Sequence, residues 1–153
     1  MIRQTITPFL WFDGQAEEAA RFYVSVFPDS AVTKVTPGPG GAAFVVEFQL
    51  TGLQFLALNG GPHFKFNEAV SFSIDCHSQA EVDEYWEKLS AGGSKGQCGW
   101  LKDKYGLSWQ VVPSVLPKLL ADTDREKTTR VLNAMMQMTK LDIPLLQAVA
   151  SGK

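Results

Sequence analysis

Residues 52–59 read GLQFLALN and residues 106–113 read GLSWQVVP. Both open on Gly-Leu, continue with a polar residue and an aromatic, and then run apolar. Bounded by a glycine and rich in aromatic and branched residues, each reads as a β-strand entered from a tight turn. The likeness extends upstream. Gln15-Ala16-Glu17 returns 64 residues later as Gln79-Ala80-Glu81, and Phe22-Tyr23 is answered by Tyr85-Trp86 after 63. Gly52-Leu53 is answered by Gly106-Leu107 after 54. A shrinking offset is what a duplicated module shows after losing residues from the later strands of its second copy.

The secondary-structure pattern supports this reading. ITPFLWF (6–12) is an aromatic and β-branched run, expected as a strand. In DGQAEEAARFYVSVFPDS, Ala16, Ala19, Ala20, Tyr23, Val26 and Phe27 recur at helical spacing, and Pro28-Asp29-Ser30 stops the helix. AVTKVTP, AAFVVEFQL and LQFLALN follow as three strands, with GPGG (38–41) and Thr51-Gly52 as turns. The second half repeats the order. AVSFSIDC is a strand, and SQAEVDEYWEKLSAGG is a helix capped by Ser78 with Glu81 three residues on. Its expected buried face is Val82, Tyr85, Trp86 and Leu89. KGQCGWLKDK and LSWQVVP supply the remaining strands, one of them short. The fold class is therefore α+β, two βαβββ modules (1–61 and 68–117) in one domain, 1–117. A C-terminal arm, 118–153, is expected as helix in two pieces. Val131, Met135 and Met138 form its apolar stripe, flanked by Leu132 and Met136.

Composition narrows the function classes. A net charge of −2 without a basic block gives no electrostatic footprint for nucleic acid or an anionic membrane. No apolar run reaches the roughly 20 residues of a membrane span. MIRQTITPFL lacks a signal-peptide apolar core, and Cys76 and Cys98 are too few for a disulfide framework, so a cytoplasmic protein with free thiols is expected. GPGG lacks the lysine and serine of a phosphate loop.

Paired βαβββ modules resemble the vicinal oxygen chelate superfamily, which includes glyoxalase I, extradiol dioxygenases and bleomycin-resistance proteins. ITPFLWFDGQAEEAARFYVSVFPDS, FKFNEAVSFSI, EVDEYWEKLS, CGWLKDKYGLSWQVVP and AMMQMTKLDI are similar to the PhnB-like family, often labelled 3-demethylubiquinone-9 3-methyltransferase. The resemblance spans nearly the whole chain. It implies two modules curling into a glyoxalase-like cup, usually in a homodimer. It also implies a divalent metal on the floor of the cup, held by His, Glu or Gln from the first and last strands. Aligned strand by strand, those positions fall at Thr7, Leu56, Ser71 and Gln110. Two hydroxyls, an aliphatic and an amide lack the imidazole, thiolate or carboxylate that such metals take. No metal and no other cofactor is therefore expected.

Strand alternation then sketches a pocket. Thr7, Phe9 and Trp11 share one face, as do Ser71, Ser73 and Asp75, and as do Ser108, Gln110 and Val112. In the third strand, Phe44, Val46, Phe48 and Leu50 form an apolar face, leaving Val45, Glu47 and Gln49 on the other. Thr7, Phe9, Trp11, Glu47, Leu56, Ser71, Ser73 and Gln110 are the expected lining of a small-molecule pocket. Three residues are candidate catalytic groups. Glu47 would serve as a base, against the alternative of a solvated sheet face. His63 would serve as acid or base from the inter-module linker, against a plain loop role. Cys98 would serve as nucleophile if Lys95 or Lys102 lowers its pKa, against a small residue packed in a turn. Trp100 and Trp109 read as packing residues.

Three readings follow: a metal-independent small-molecule-binding protein, an enzyme on the same cup (metal-dependent lyase or oxygenase, or the labelled methyltransferase), or a dimeric structural protein using the arm. The methyltransferase reading lacks a βαβαβ pattern and a glycine fingerprint after the first strand.

Overall fold

A computed structural model describes residues 3–153; Met1 and Ile2, at the head of the expected first module, lie outside the described residues. The chain divides into two compact units, the first ending at Lys65 and the second running from Phe66 to Lys153.

The first unit has the order β1 (Phe9–Phe12), α1 (Ala16–Val26), β2 (Ala31–Pro37), β3 (Ala43–Leu50) and β4 (Leu53–Asn59). Its sheet order is β1-β4-β3-β2, with β1 parallel to β4 and the other pairs antiparallel. The period-2 alternation sends Leu10, Phe12, Val46, Phe48, Leu50, Phe55 and Ala57 to the buried side. There they meet Ala16, Ala19, Ala20, Tyr23 and Val26 of α1. Three small alanines let the helix approach closely, and Tyr23, Phe48 and Phe55 stack in series at 6.3 and 5.2 Å. Gln15 makes no side-chain cap, and Asn59 supplies one from the end of β4. Its Oδ1 accepts from Ala16 N at 2.8 Å and its Nδ2 donates to Ala43 O at 2.9 Å. Phe44, expected on the apolar face, stays about half exposed because it stands at the open end of β3.

The β3–β4 hairpin turns on Thr51 and Gly52, with φ of 48° and 90°. Positive φ at both central residues is the signature of a type I′ turn, whose twist matches the strands it joins. Gly106 has φ 89°, so the two glycines of the repeated Gly-Leu share one left-handed conformation.

The second unit repeats the design. Its order is β5 (Ser71–Cys76), α2 (Gln79–Ser90), β6 (Ser94–Lys95), β7 (Trp100–Lys102) and β8 (Ser108–Pro113). The sheet order is β5-β8-β7-β6, with β5 parallel to β8, the topology of the first sheet. Two strands are cut to two and three residues, which is where the shrinking offset places the deletion. Ser78 caps α2 by accepting from Glu81 N at 3.2 Å. Glu81 returns a bond to His77 N at 2.8 Å, one residue ahead of the usual capping-box partner. Val82, Trp86 and Leu89 are buried, while Tyr85, expected beside them, is only half-buried.

The arm folds as three helices rather than two pieces: α3 (Val115–Leu120), α4 (Arg125–Met136) and α5 (Ile143–Ala150). Asp124 and Asp142 cap α4 and α5. Leu116, Val131, Met138, Leu141, Leu146 and Ala150 form a core of their own, with Met135 and Val112 packed against it. The stripe of Val131, Met135 and Met138 is thus core, while Leu132 and Met136 remain exposed. The chain between α4 and α5 also bonds to the second module. Cys98 N donates to Met138 O and Gly99 N to Thr139 O, both at 2.8 Å. Gln79 grips the start of α5, donating to Leu141 O at 3.1 Å and accepting from Ile143 N at 2.7 Å. No described helix is long and apolar enough to cross a membrane.

Candidate functional site

In each sheet, one face packs on its helix and the other carries the expected pocket residues. The register draws them into rows across the strands. In the first unit, Phe9 lies opposite Leu56, Leu56 opposite Glu47, and Glu47 opposite Lys34. Trp11, Leu58, Val45 and Thr36 form the next row. Thr7 precedes β1 and is half-buried. This face is aromatic and aliphatic, with the half-buried Glu47 and the exposed Lys34 as its charges.

Trp11 is fixed from several sides. Its Nε1 donates to Gly61 O at 2.9 Å, and Phe64 packs edge-on at 4.9 Å between centroids. A Cβ on Gly60 would lie 2.3 Å from the indole, so close approach of the backbone to Trp11 demands glycine there. His63, between Gly61 and Phe64, is exposed.

In the second unit the rows are more polar. Ser73 lies opposite Gln110, and Gln110 opposite Trp100. Ser71 lies opposite Ser108, Ser108 opposite Lys102, and Lys102 opposite Ser94. Gln110 Nε2 donates to Ser71 Oγ at 3.0 Å, so two of the four superfamily metal positions hold each other. Val112 packs against the arm's core.

A cleft of about 170 Å³ opens on this face, lined by Glu68, Ser94, Gly96, Trp100, Leu101, Lys102 and Ser108. Glu68 and Lys102 form an ion pair at its edge. The Lys102 ammonium, by hydrogen bond and by charge, holds the Glu68 carboxyl below the usual glutamate range. Ser108 is 1 % exposed, and its Oγ has no hydrogen-bond partner among the described residues. An unpaired buried hydroxyl costs about 1–3 kcal/mol. Buried polar atoms are almost always paired, so this hydroxyl stands out among the cleft's lining.

Next to Lys102 in the chain, Asp103 is 2 % exposed and organises the β7–β8 turn. Its Oδ1 accepts from Tyr105 N at 2.8 Å and Leu107 N at 3.1 Å, and its Oδ2 accepts from Trp109 Nε1 at 2.9 Å. The sequence pattern singles out neither Asp103 nor Glu68, and points to Lys102 only as a neighbour of Cys98. A three-residue strand is too short to show period 2, and Asp103 in KDKYG looks like any polar turn residue.

Of the catalytic candidates, Glu47 and His63 belong to the first unit and Cys98 to the second. Cys98 is held in a left-handed turn, φ 58°, by its backbone bond to Met138. The two lysines expected to activate it pair elsewhere, Lys102 with Glu68 and Lys95 with Glu87 at 3.2 Å. Cys76 is buried in the second core, which pushes its thiol up to about 12. Both cysteines are free. Among the described residues, no group of three or more His, Cys, Asp or Glu is placed to hold a metal ion. The donors at Thr7, Leu56, Ser71 and Gln110 do not fit the superfamily's metal. The antiparallel-rich sheet order likewise does not fit the doubly wound parallel sheet that presents a nucleotide-type cofactor on a glycine-rich turn.

Comparison with known proteins agrees with this architecture. The family model for 3-demethylubiquinone-9 3-methyltransferase matches residues 4–112. A PhnB protein of Bacillus cereus carrying the same label is 32 % identical, with a TM-score of 0.68, over 72 % of this chain and 99 % of its own. More distant structures share the fold alone. A glyoxalase/bleomycin-resistance/dioxygenase domain from Frankia has 16 % identity and a TM-score of 0.55, covering 74 % of this chain and 93 % of that one. The fosfomycin-resistance protein FosX of Listeria monocytogenes has 16 % identity and a TM-score of 0.54, covering 71 % and 91 %. Among curated proteins none matches. The family match ends at Val112, so the three arm helices, included in the sequence resemblance, lie beyond it. The chain belongs to the 3-demethylubiquinone-9 3-methyltransferase family, the PhnB-like branch of the glyoxalase and bleomycin-resistance fold.

Proposed function

We propose that this protein binds a small organic molecule and acts by sequestering it, without a bound metal. The observation that carries the reading is the cleft in the second unit, where a buried Ser108 hydroxyl lacks a partner beside an indole wall and an ion pair. A few placed polar groups on an apolar surface are the usual make-up of a ligand site. The donor chemistry at Thr7, Leu56, Ser71 and Gln110 supports independence from metal. A thermal-shift screen of the metal-free protein tests it. Some small organic molecule is expected to raise the melting temperature. If none does while divalent metals do, the reading fails.

The enzyme alternative is favoured by one observation, the family label. Calorimetry with S-adenosylmethionine decides the methyltransferase version, since absence of binding heat retires it. Elemental analysis decides the metal-dependent version. We also propose a cytoplasmic homodimer, supported by the exposed apolar residues Leu132, Met136 and Leu145 on the arm. Sedimentation of the full chain is expected to give twice the monomer mass, and a monomer would remove this part.

A further inference from the structure

We propose that the cleft of the second unit takes a small organic monocarboxylate, its carboxylate on Lys102 Nζ and Ser108 Oγ and its apolar body against Trp100. The inference rests on the small-molecule reading above and names the ligand class.

Lys102 and Ser108 are cross-strand partners on one face of the sheet, so their side chains rise side by side. Both can donate hydrogen bonds. The Ser108 hydroxyl is buried without a partner, and a carboxylate oxygen accepts from it. Lys102 already holds a carboxylate, that of Glu68. Glu68 reaches in from the segment ahead of β5, and its side chain is 58 % exposed. An exposed pair of this kind is weak. A ligand carboxylate that gains the Ser108 bond as well can therefore displace it. Glu68 occupies the anion position when no ligand is there and yields it when one arrives.

Charge and size set the class further. Lys102 is the cation among the lining residues, and Glu68 stays nearby after displacement. A ligand with one negative charge takes the place of the Glu68 carboxylate on Lys102, whereas a phosphate dianion brings a second charge and meets stronger repulsion from the displaced Glu68. A volume of about 170 Å³ lies below the roughly 300–1,000 Å³ of drug-sized pockets. That limits the ligand to an acid of about the size of benzoate. The half-buried Trp100 offers the apolar wall.

Benzoate is the probe, titrated into the full chain and followed by amide and indole chemical shifts. Saturable shifts are expected at Trp100, Lys102 and Ser108, with affinity at least tenfold above that for benzyl alcohol or inorganic phosphate. Lys102→Met is expected to weaken benzoate at least tenfold and Ser108→Ala several-fold. Glu68→Gln is expected to tighten it several-fold, an effect opposite in sign to loss of a merely structural pair. Its exposed position keeps that variant folded, which the shift pattern of the remaining amides verifies. Equal binding of benzyl alcohol, indifference to Lys102→Met, or weaker binding by Glu68→Gln each overturns the inference. If the thermal-shift screen yields a neutral ligand while benzoate leaves the spectrum unchanged, the anion site is refuted and the small-molecule reading stands. If nothing organic binds, both are refuted.

Discussion

The two modules share a topology and differ in what completes it. The first sheet is closed by its own strands. β3 and β4 run for eight and seven residues, joined by the two-residue turn at Thr51-Gly52. The second sheet has lost most of the equivalent edge, with β6 and β7 reduced to two and three residues. Lost ladder leaves backbone groups that need other partners. Here the chain between α4 and α5 supplies them, through Met138 and Thr139 to Cys98 and Gly99. A buried carboxylate, Asp103, organises the second module's turn, where the first module uses the two-residue turn at Thr51-Gly52 with Ser30 Oγ accepting from Thr51 N. A module can thus lose strand length when a later segment and one side-chain network replace its hydrogen bonds. The second face is also the more polar of the two, and it carries the cleft beside Lys102.

This contrast can be challenged directly. Deleting residues 124–153 removes Val131, Met138, Leu141 and Leu146 from the core along with the acceptors for Cys98 and Gly99. Hydrogen exchange is expected to show β7 and β8 losing protection while β3 and β4 retain theirs. Retained protection in β8 would show that the shortened sheet stands alone. Gly93→Ala comes next in size. Its Cβ would sit 2.1 Å from Lys102 O, a backbone atom that cannot move aside cheaply. Chemical denaturation is expected to show a loss of about 3 kcal/mol or more.

Asp103→Ala leaves Tyr105 N, Leu107 N and the Trp109 indole without their acceptor. A loss of roughly 3 kcal/mol is expected from denaturant midpoints, with a change in Trp109 near-UV dichroism. A loss within 0.5 kcal/mol, the scale of ordinary surface substitutions, would remove Asp103 from its organising role. The cysteines offer a gentler probe. Cys76 has its thiol raised to about 12 in the fold, so the protonated form is the stabilised one. That contribution is complete below the ordinary thiol range near 8.5 and disappears as pH climbs toward 12. At pH 8.5, a maleimide or disulfide reagent is expected to label Cys98 well before Cys76, as peptide mapping would reveal. The smallest effect belongs to the first module. Thr51 holds a β-branched residue at φ 48°, and Thr51→Asn is expected to stabilise by up to about 1 kcal/mol. A destabilised Asn variant would mean that other contacts of Thr51 outweigh the turn.

The site was less readable than the fold, for a physical reason visible in particular residues. Phe9, Trp11, Ser71, Ser73 and Gln110 could be placed on a face because their strands are long enough for alternation to show. Lys102 and Ser108 become a pair only through the β7–β8 register. Glu68 joins them from a loop, where no periodicity applies. Glu47 reads as a general base in sequence, and the β2–β3 register sets it opposite Lys34.

What the sequence by itself determined was the module: its strand and helix order, its duplication, the turn glycines at positions 52 and 106, and the Ser78 cap that starts α2. These follow from local spacing and turn chemistry, which act over a few residues. Tertiary structure alone decided that the arm is a structural part of the second unit. It also decided that Asp103 is buried and bonded, and that Ser108 is buried without a partner beside Lys102. Those outcomes depend on which distant backbone arrives to satisfy a group, and no local pattern encodes the arrival.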